Sequence, residues 1–428
     1  MSLPRYPEYK DSGVEWLGDV PASWNVRRLG YYFSERREKV SDTDYQPLSV
    51  TKNGIVPQLE TAAKTDDGDN RKKVLAGDFV INSRSDRKGS SGLSELDGSV
   101  SLINSVLRPN DGIHGRFTHH LIRSQLFQEE YYRYGKGIVA DLWSTNYSEM
   151  RNILLAVPPK PEQVAIANFL DRETSKIDTL IVEQVQLIAL LKEKRQAVIS
   201  HAVTKGLKAD ASMRDSGIEW LGDVPEHWKV IRLAYSATIE NGTTPSRENQ
   251  DYWLDGDIPW LSSGEVNQYR VTEANEFITR KALDECSLRL LPINTIVIGM
   301  IGQGKTRGLS ASLEIEACIN QNLAAIVPGE NLASDYLLYI FQSVYDYLRE
   351  FGRGGNQAAL NCEILSAFKV PIPPLEEQLH IRNYLEVRVM EFDTLIAEAQ
   401  RAIDLLQERR SALISAAVTG KIDVRKSS

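Results

Sequence analysis

Apolar positions in this chain fall into two kinds of run. Short apolar runs follow turn residues, as in Ala76-Gly-Asp-Phe-Val-Ile-Asn82 and Pro292-Ile-Asn-Thr-Ile-Val-Ile298, and predict buried strands. Long runs instead carry apolar residues at alternating spacings of three and four, the signature of a helix with one apolar stripe. In the first, the stripe passes through Ile177, Leu180, Gln184, Leu187, Leu191, Lys194 and Val198. In the second it passes through Phe392, Leu395, Ala399, Ala402, Leu406, Arg409 and Leu413. Ile181, Ile188, Ile396 and Ile403 widen the two stripes. Acids at Glu162, Glu376 and Glu377 suit the positive end of a helix dipole, and Lys192, Lys194, Arg195, Arg409 and Arg410 gather late in each run. Gly206 and Gly420 mark the stops. Helices of this length are about 60 Å long, and a stripe that long needs a partner. The two are expected to pair as an antiparallel coiled coil.

The whole pattern occurs twice. Asp11-Ser-Gly-Val-Glu-Trp-Leu-Gly-Asp-Val-Pro21 returns as Asp215-Ser-Gly-Ile-Glu-Trp-Leu-Gly-Asp-Val-Pro225, each followed by a further tryptophan, Trp24 and Trp228. Pro158-Pro-Lys-Pro-Glu-Gln163 opens the first long helix and Pro373-Pro-Leu-Glu-Glu-Gln378 the second. Between these marks the copies diverge. Internal repetition sets the architecture: a module over 1–157, a helix over 158–207, a second module over 208–372 and a second helix over 373–428. The stretch Lys205-Gly-Leu-Lys-Ala-Asp-Ala-Ser-Met-Arg214 reads as a small polar linker. The fold class is α+β: two similar mixed modules separated by two long helices, related by a pseudo-twofold internal repeat.

Inside each module the order of elements is shared. Ser101-Leu-Ile-Asn104 is matched to Cys318-Ile-Asn320, and each leads into a strand ending at Pro109 or Pro328. One amphipathic helix follows in each, His119 to Tyr134 and Ala333 to Phe351, closed by Gly135-Lys-Gly137 and Gly352-Arg-Gly-Gly355. Trp16, Trp24, Trp220 and Trp228 belong to the repeated frame and read as structural anchors.

Composition narrows the function. The 428 residues carry a net charge of −8. The first module sums to 0, the first helix to +1, the second module to −8 and the second helix to −1. A protein holding nucleic acid by bulk electrostatics shows a basic block; here binding must come from local patches. Three cysteines confined to the second copy, and a polar stretch from Met1 to Asp11, lead to the expectation of a reducing, cytoplasmic setting without disulfides. The six histidines have no metal-site spacing. No Asn-Pro-Pro-Tyr or Asp-Pro-Pro-Tyr motif, dinucleotide fingerprint or nucleophile elbow is present. No catalytic centre and no bound cofactor are expected in this chain.

One motif pulls the other way. Gly299-Met-Ile-Gly-Gln-Gly-Lys305-Thr306 fits the literal phosphate-binding loop pattern and follows a strand. Such a loop needs a helix directly after it, and Gly308 falls in the would-be first turn. At the same register, set 216 residues earlier, stand Ser83, Lys88, Gly89 and Ser90. The common chemistry of both loops is glycine with cations, hydroxyls and amides, which suits recognition of bases and phosphates. The candidate DNA-binding residues are Arg84, Arg87, Lys88, Ser90, Ser91, Lys136 and Asn146 in the first module. In the second they are Arg247, Gln303, Lys305, Thr306, Arg307, Arg353, Asn356 and Gln357.

The duplicated order of Trp16-Leu-Gly-Asp-Val-Pro21 with Trp24, Pro-Pro-x-x-Glu-Gln and paired long helices resembles the specificity subunits of Type I restriction–modification enzymes over essentially the whole chain. Thr244-Pro245, Tyr252-Trp253 and Ile258-Pro-Trp260 add to the resemblance in the second module; the first lacks the Thr-Pro and Pro-Trp signatures. The resemblance implies two target recognition domains, each reading one half of a bipartite asymmetric site on double-stranded DNA. It implies helices that set the spacing and dock two methyltransferase subunits, and nuclease–translocase subunits in the full complex. S-adenosylmethionine, ATP and Mg2+ would be held by those partners.

Overall fold

The computed structural model describes residues 3–60, 68–84, 88–137, 143–302, 305–350 and 360–425. The chain divides into two compact units, Met1–Val185 with Gln400–Ser428, and Gln186–Ala399. The long helices run over Lys160–Lys205 and Leu375–Val418.

In the first unit the frame consists of paired short strands. Tyr9–Asp11 pairs antiparallel with Asp19–Pro21, and Asn25–Arg28 with Leu154–Val157. The variable part is built on a four-stranded antiparallel sheet in the order Ser91–Leu93, Phe79–Asn82, Asn104–Pro109, Phe33–Glu35. Phe79-Val-Ile-Asn82 is buried at every position because both sheet faces are covered. Val80 and Val106 meet Val74 and Val100 of a three-stranded sheet. Phe79 and Leu107 meet Phe117, Leu121 and Phe127 of two helices.

The second unit repeats this plan. Asp223–Pro225 pairs with Met213–Asp215, and Lys229–Arg232 with Lys369–Ile372. Its main sheet has five strands, ordered Ala237–Asn241, Leu323–Pro328, Ile296–Gly299, Ser310–Leu313, Arg270–Val271; the last is parallel to its neighbour. A separate sheet carries Ile258–Leu261 between Glu276–Ile278 and Cys318–Ile319.

A long-helix end completes each frame. Ile199, Ala202 and Val203 join the core that holds Trp228, and Ala417 and Val418 join the core that holds Trp24. The helices stop at Gly206 and Gly420, whose φ values are +74° and +72°. At Gly420 a Cβ would run into Pro21, so this stop requires glycine for both conformation and space.

Three expectations are corrected. The helix expected over 119–134 is two, Gly115–Arg123 and Gln125–Arg133, because Ser124 is extended and its hydroxyl caps the N–H of Phe127 at 3.3 Å. Likewise Ser334–Ser343 and Tyr345–Glu350 are separate helices, broken at Val344.

The apolar stripes are shifted at every second position. The buried or half-buried seam runs through Ile177, Ile181, Gln184, Ile188, Leu191, Arg195 and Val198, while Leu180 and Leu187 are exposed. In the distal helix it runs through Phe392, Ile396, Ala399, Ile403, Leu406, Arg410 and Leu413, with Leu395 exposed. Each pairing carries one ion pair across the helices, Asp178 with Arg410 at 2.8 Å in the first unit and Asp393 with Arg195 at 3.0 Å in the second. The two long helices therefore pack together as an antiparallel pair.

The inter-module register is also corrected. Asn82 pairs with Asn104, and Gly299 with Leu323. Asn82 is thus equivalent to Gly299, and Asn104 to Leu323. The sequence match of Ser83 to Gly299 was out by one residue, and that of Asn104 to Asn320 by three.

Candidate nucleic-acid interface

Corrected registers bring the described ends of the predicted loops together at one end of each main sheet. In the first module the hairpin Phe79–Asn82 to Ser91–Leu93 ends at Ser83, which is held from two sides. Its N–H donates to Ile103 O at 3.2 Å, and its carbonyl accepts the N–H of Thr145 at 3.0 Å. Arg84 bridges Ser144, and Ser144 bridges Lys136 through two backbone bonds of 2.9 and 3.1 Å. Thr145 is anchored beneath by Tyr131, whose hydroxyl donates to Thr145 O at 2.8 Å; burial pushes that phenol well above its usual titration range. The hairpin and the glycine-rich loop, far apart in sequence, form one surface.

The second module repeats the arrangement. Met300 N–H donates to Asn322 O at 2.9 Å, and Met300 O accepts the N–H of Leu360 at 3.1 Å. A third segment joins here. Thr243 N–H donates to Ile319 O at 3.0 Å, and the Thr244 hydroxyl donates to the Gln321 side-chain oxygen. A Cβ at Gly242 would overlap Ile319 O, so glycine lets this strap approach the turn.

Among the described residues, the phosphate-loop pattern is not followed by the helix that such a loop needs. Ile296–Gly299 turns back into Ser310–Leu313, its antiparallel neighbour, and no helix follows Thr306. The nucleotide-binding alternative therefore lacks the helix N-terminus it depends on.

The candidate residues divide by position. Arg84, Lys88 and Lys136 have exposed side chains; Lys88 lies 5.3 Å from the Tyr132 ring centre. Lys136 reaches Glu149 at 3.3 Å, and that carboxyl is held below its usual range by the Ser148 hydroxyl and then by Lys136. Asn146 is exposed and precedes the turn Tyr147–Met150. Ser90 and Ser91 are instead buried, at 7% and 1% exposure. Ser90 O accepts the Asn82 N–H, and Ser91 sits in the sheet opposite Ile81. Their hydroxyls face the interior, which corrects their assignment to an exposed loop.

Lys305 is exposed, with its carbonyl fixed by the Tyr345 hydroxyl at 2.6 Å, and Thr306 is half-buried in the turn. Arg307 folds back to donate to Arg349 O, clamping the hairpin tip to Tyr345–Glu350. Arg247 is exposed but committed: its guanidinium lies 3.8 Å from the Trp253 ring centre and 5.1 Å from that of Trp260, and it pairs with Glu276. Arg87, Gln303, Arg353, Asn356 and Gln357 lie outside the described residues.

Sequence reasoning missed Leu102, Ile103, Trp143, Thr244 and Gln321, all at this surface. Leu102 and Ile103 sat in the Ser-Leu-Ile-Asn motif, read there only as a lead into a strand. Among the described residues no cluster of His, Cys, Asp and Glu could hold a metal, and no helix is long and apolar enough to cross a membrane.

Residues 225–401 match the family model for the Type I restriction modification DNA specificity domain. The chain is 28% identical over 277 residues to the EcoR124I/EcoR124II specificity subunit of Escherichia coli, covering 62% of each protein; the match thus spans less than two thirds of that relative. It is 22% identical over 446 residues to the putative type I restriction enzyme MjaX specificity subunit of Methanocaldococcus jannaschii, covering 96% of each. Among solved structures, a chain of a type I R-M system superposes with a TM-score of 0.74 at 18% identity, over 93% of this chain and 98% of that one.

Proposed function

We propose that this chain, which belongs to the family of Type I restriction–modification specificity subunits, reads a bipartite site on double-stranded DNA, one half with each module. One observation carries the reading. Each frame is tied by one buried glutamine making the same three bonds, while the surfaces the frames hold differ in chemistry. Gln163 accepts from His114 N–H and donates to Gly112 O and Pro158 O; Gln378 accepts from Ala333 N–H and donates to Asn331 O and Pro373 O. At the far end of each module the equivalent turns share backbone bonds but no side-chain type. Constant support with exchangeable contents suits two readers of two sequences.

Local cations suit this role better than a basic block. Lys88 and Lys136 supply phosphate contacts that position a duplex, Arg84 supplies a contact to a base edge or a phosphate, and the net charge of −8 leaves the remaining neutralisation to partners. The helix pair offers a docking surface for methyltransferase subunits. Leu180, Val182, Val185 and Leu405 are exposed on it in the first unit, and Leu187, Leu190, Val387, Met390 and Leu395 in the second. S-adenosylmethionine, ATP and Mg2+ would be bound by those partners, and this chain itself would be non-catalytic.

Selection of bound duplexes from a randomised library, using the chain with the methyltransferase subunits it assembles with, tests the reading. Two separated sequence elements at a fixed gap support it. A single uninterrupted element, or none, rejects it.

A further inference from the structure

The two modules differ most sharply at one turn. Hydrogen bonding makes Ile103 equivalent to Asn322, since each carbonyl accepts the N–H at the hairpin end, from Ser83 and Met300. It also makes Ser101 equivalent to Asn320, whose carbonyls accept from Asn104 N–H at 3.0 Å and Leu323 N–H at 3.2 Å. Leu102 is thus the counterpart of Gln321. One backbone presents Leu102 and Ile103 in the first module, 42% and 39% exposed. It presents an exposed Gln321 and a half-buried Asn322 in the second.

Both turns are built rigidly from behind. Asn104, buried, donates its amide to Ser101 O at 3.1 Å and to the Ser101 hydroxyl at 3.0 Å. Asn320, also buried, accepts the N–H of Asn322 at 3.0 Å. Thr244 donates to the Gln321 oxygen, which fixes that amide on the exposed turn. The strap that delivers Thr244 is pinned by the Trp260 indole, bonded to Thr243 O at 3.0 Å.

A contiguous exposed apolar patch rimmed by polar groups marks an interaction site. Around Leu102 and Ile103 the same backbone network places Arg84 and Lys136, with exposed Trp143 beside Ser144. An apolar tip with cations at its edge matches the major groove, which offers thymine methyl groups between two rows of phosphates. Resting on the DNA-reading function above, we propose that this turn is the base-reading element of each module. Leu102 and Ile103 read thymine methyl groups; Gln321, oriented by Thr244, reads a purine edge through its amide.

Thymine-to-deoxyuridine exchange removes only the C5 methyl and therefore isolates the first contact. The full chain, with its methyltransferase subunits, is titrated against its selected duplex and against duplexes carrying deoxyuridine at each thymine in turn. We expect a loss of about fourfold at one or two positions of the half-site read by the first module, the value of one buried methyl. Leu102→Ala with Ile103→Ala should weaken the normal duplex similarly and abolish the response to deoxyuridine. Gln321→Ala should relax base preference by roughly tenfold at one position of the other half-site only, and Thr244→Val should do the same more weakly. Leu102, Ile103 and Gln321 are exposed and Thr244 is half-buried, so thermal unfolding should change little.

A first half-site without thymine, indifference to every deoxyuridine, or a loss uniform across all sequences would overturn the assignment while leaving two-module DNA reading intact. Uniform loss would mark the turn as a backbone contact. Selection that returned no preferred sequence would overturn the DNA reading and this assignment together.

Discussion

The side-chain oxygen of Gln163 accepts the backbone N–H of His114 at 2.7 Å, tying the first turn of the central helix to the residue that precedes helix Gly115–Arg123. Gln163 is 1% exposed and Gln378, its counterpart, 0%. A buried amide with all its partners in place is costly to delete, because those partners are left without bonds at about 1–3 kcal/mol each. Gln163→Ala should therefore lower the stability of the first unit by roughly 2–4 kcal/mol, and Gln378→Ala that of the second. Denaturant unfolding followed by hydrogen exchange, which resolves the two units, checks this; equal loss in both units from either substitution would contradict it.

Acid should weaken the first unit through His119. Burial, and then the Arg123 guanidinium 2.8 Å away, lower its pKa from 6.5 to about 4. Between those values the unfolded chain binds a proton that the folded chain does not, so stability falls as pH drops from about 6.5 to about 4. The full effect is on the order of 3 kcal/mol. His119→Gln should flatten this part of the stability profile; an unchanged slope would mean that His119 is not its source.

Arg84 and Arg307 should behave differently, although both were candidates on equal terms in the sequence. Arg84 is exposed and free to meet DNA. Arg84→Ala should cost about 1–3 kcal/mol at the cognate site if the contact is to a base, and lower the salt slope by about 1 if it is to a phosphate. Arg307 holds Arg349 O. Arg307→Ala should loosen the hairpin tip, seen as faster hydrogen exchange at Leu309, and weaken all sequences alike. A sequence-selective loss from Arg307→Ala would reverse the two roles.

The frame was legible in the sequence because it is written twice, and each repeated residue has a fixed physical task. Trp24 and Trp228 fill two cores, and Gln163 and Gln378 make identical bonds. The helical stripe was legible only in part. Leu180 and Ile181 are both apolar, so composition could not say which enters the seam; Ile181 does, as a three–four alternation starting with four requires. The surface was least legible. Ser90 and Ser91 looked like loop hydroxyls, yet the register of Ser91 opposite Ile81 buries them. Leu102 and Ile103 read only as a lead into a strand, yet a turn exposes them. A one-residue register shift turns a strand residue from one face to the other, and no single-chain pattern resolves it.

Helix length should set the gap between half-sites. Seven residues added to each long helix at facing positions preserve the seam and lengthen each helix by about 10 Å. This should widen the preferred gap by about three base pairs, at 3.4 Å each, and leave both half-site sequences unchanged. Selection from duplexes of randomised gap checks it. Retention of the original gap at full affinity would make the helices a docking surface only.

The most direct measurement exchanges the contents of one frame. Residues 30–153 lie between the paired strands Asn25–Arg28 and Leu154–Val157 and can be replaced as a unit with those of a similar specificity subunit. Methylation mapping of genomic DNA from cells carrying the exchanged chain and its methyltransferase then reads the recognised site. Independent modules predict that one half of the site changes to the donor's sequence while the other half stays as it was. A change in both halves together would contradict the account.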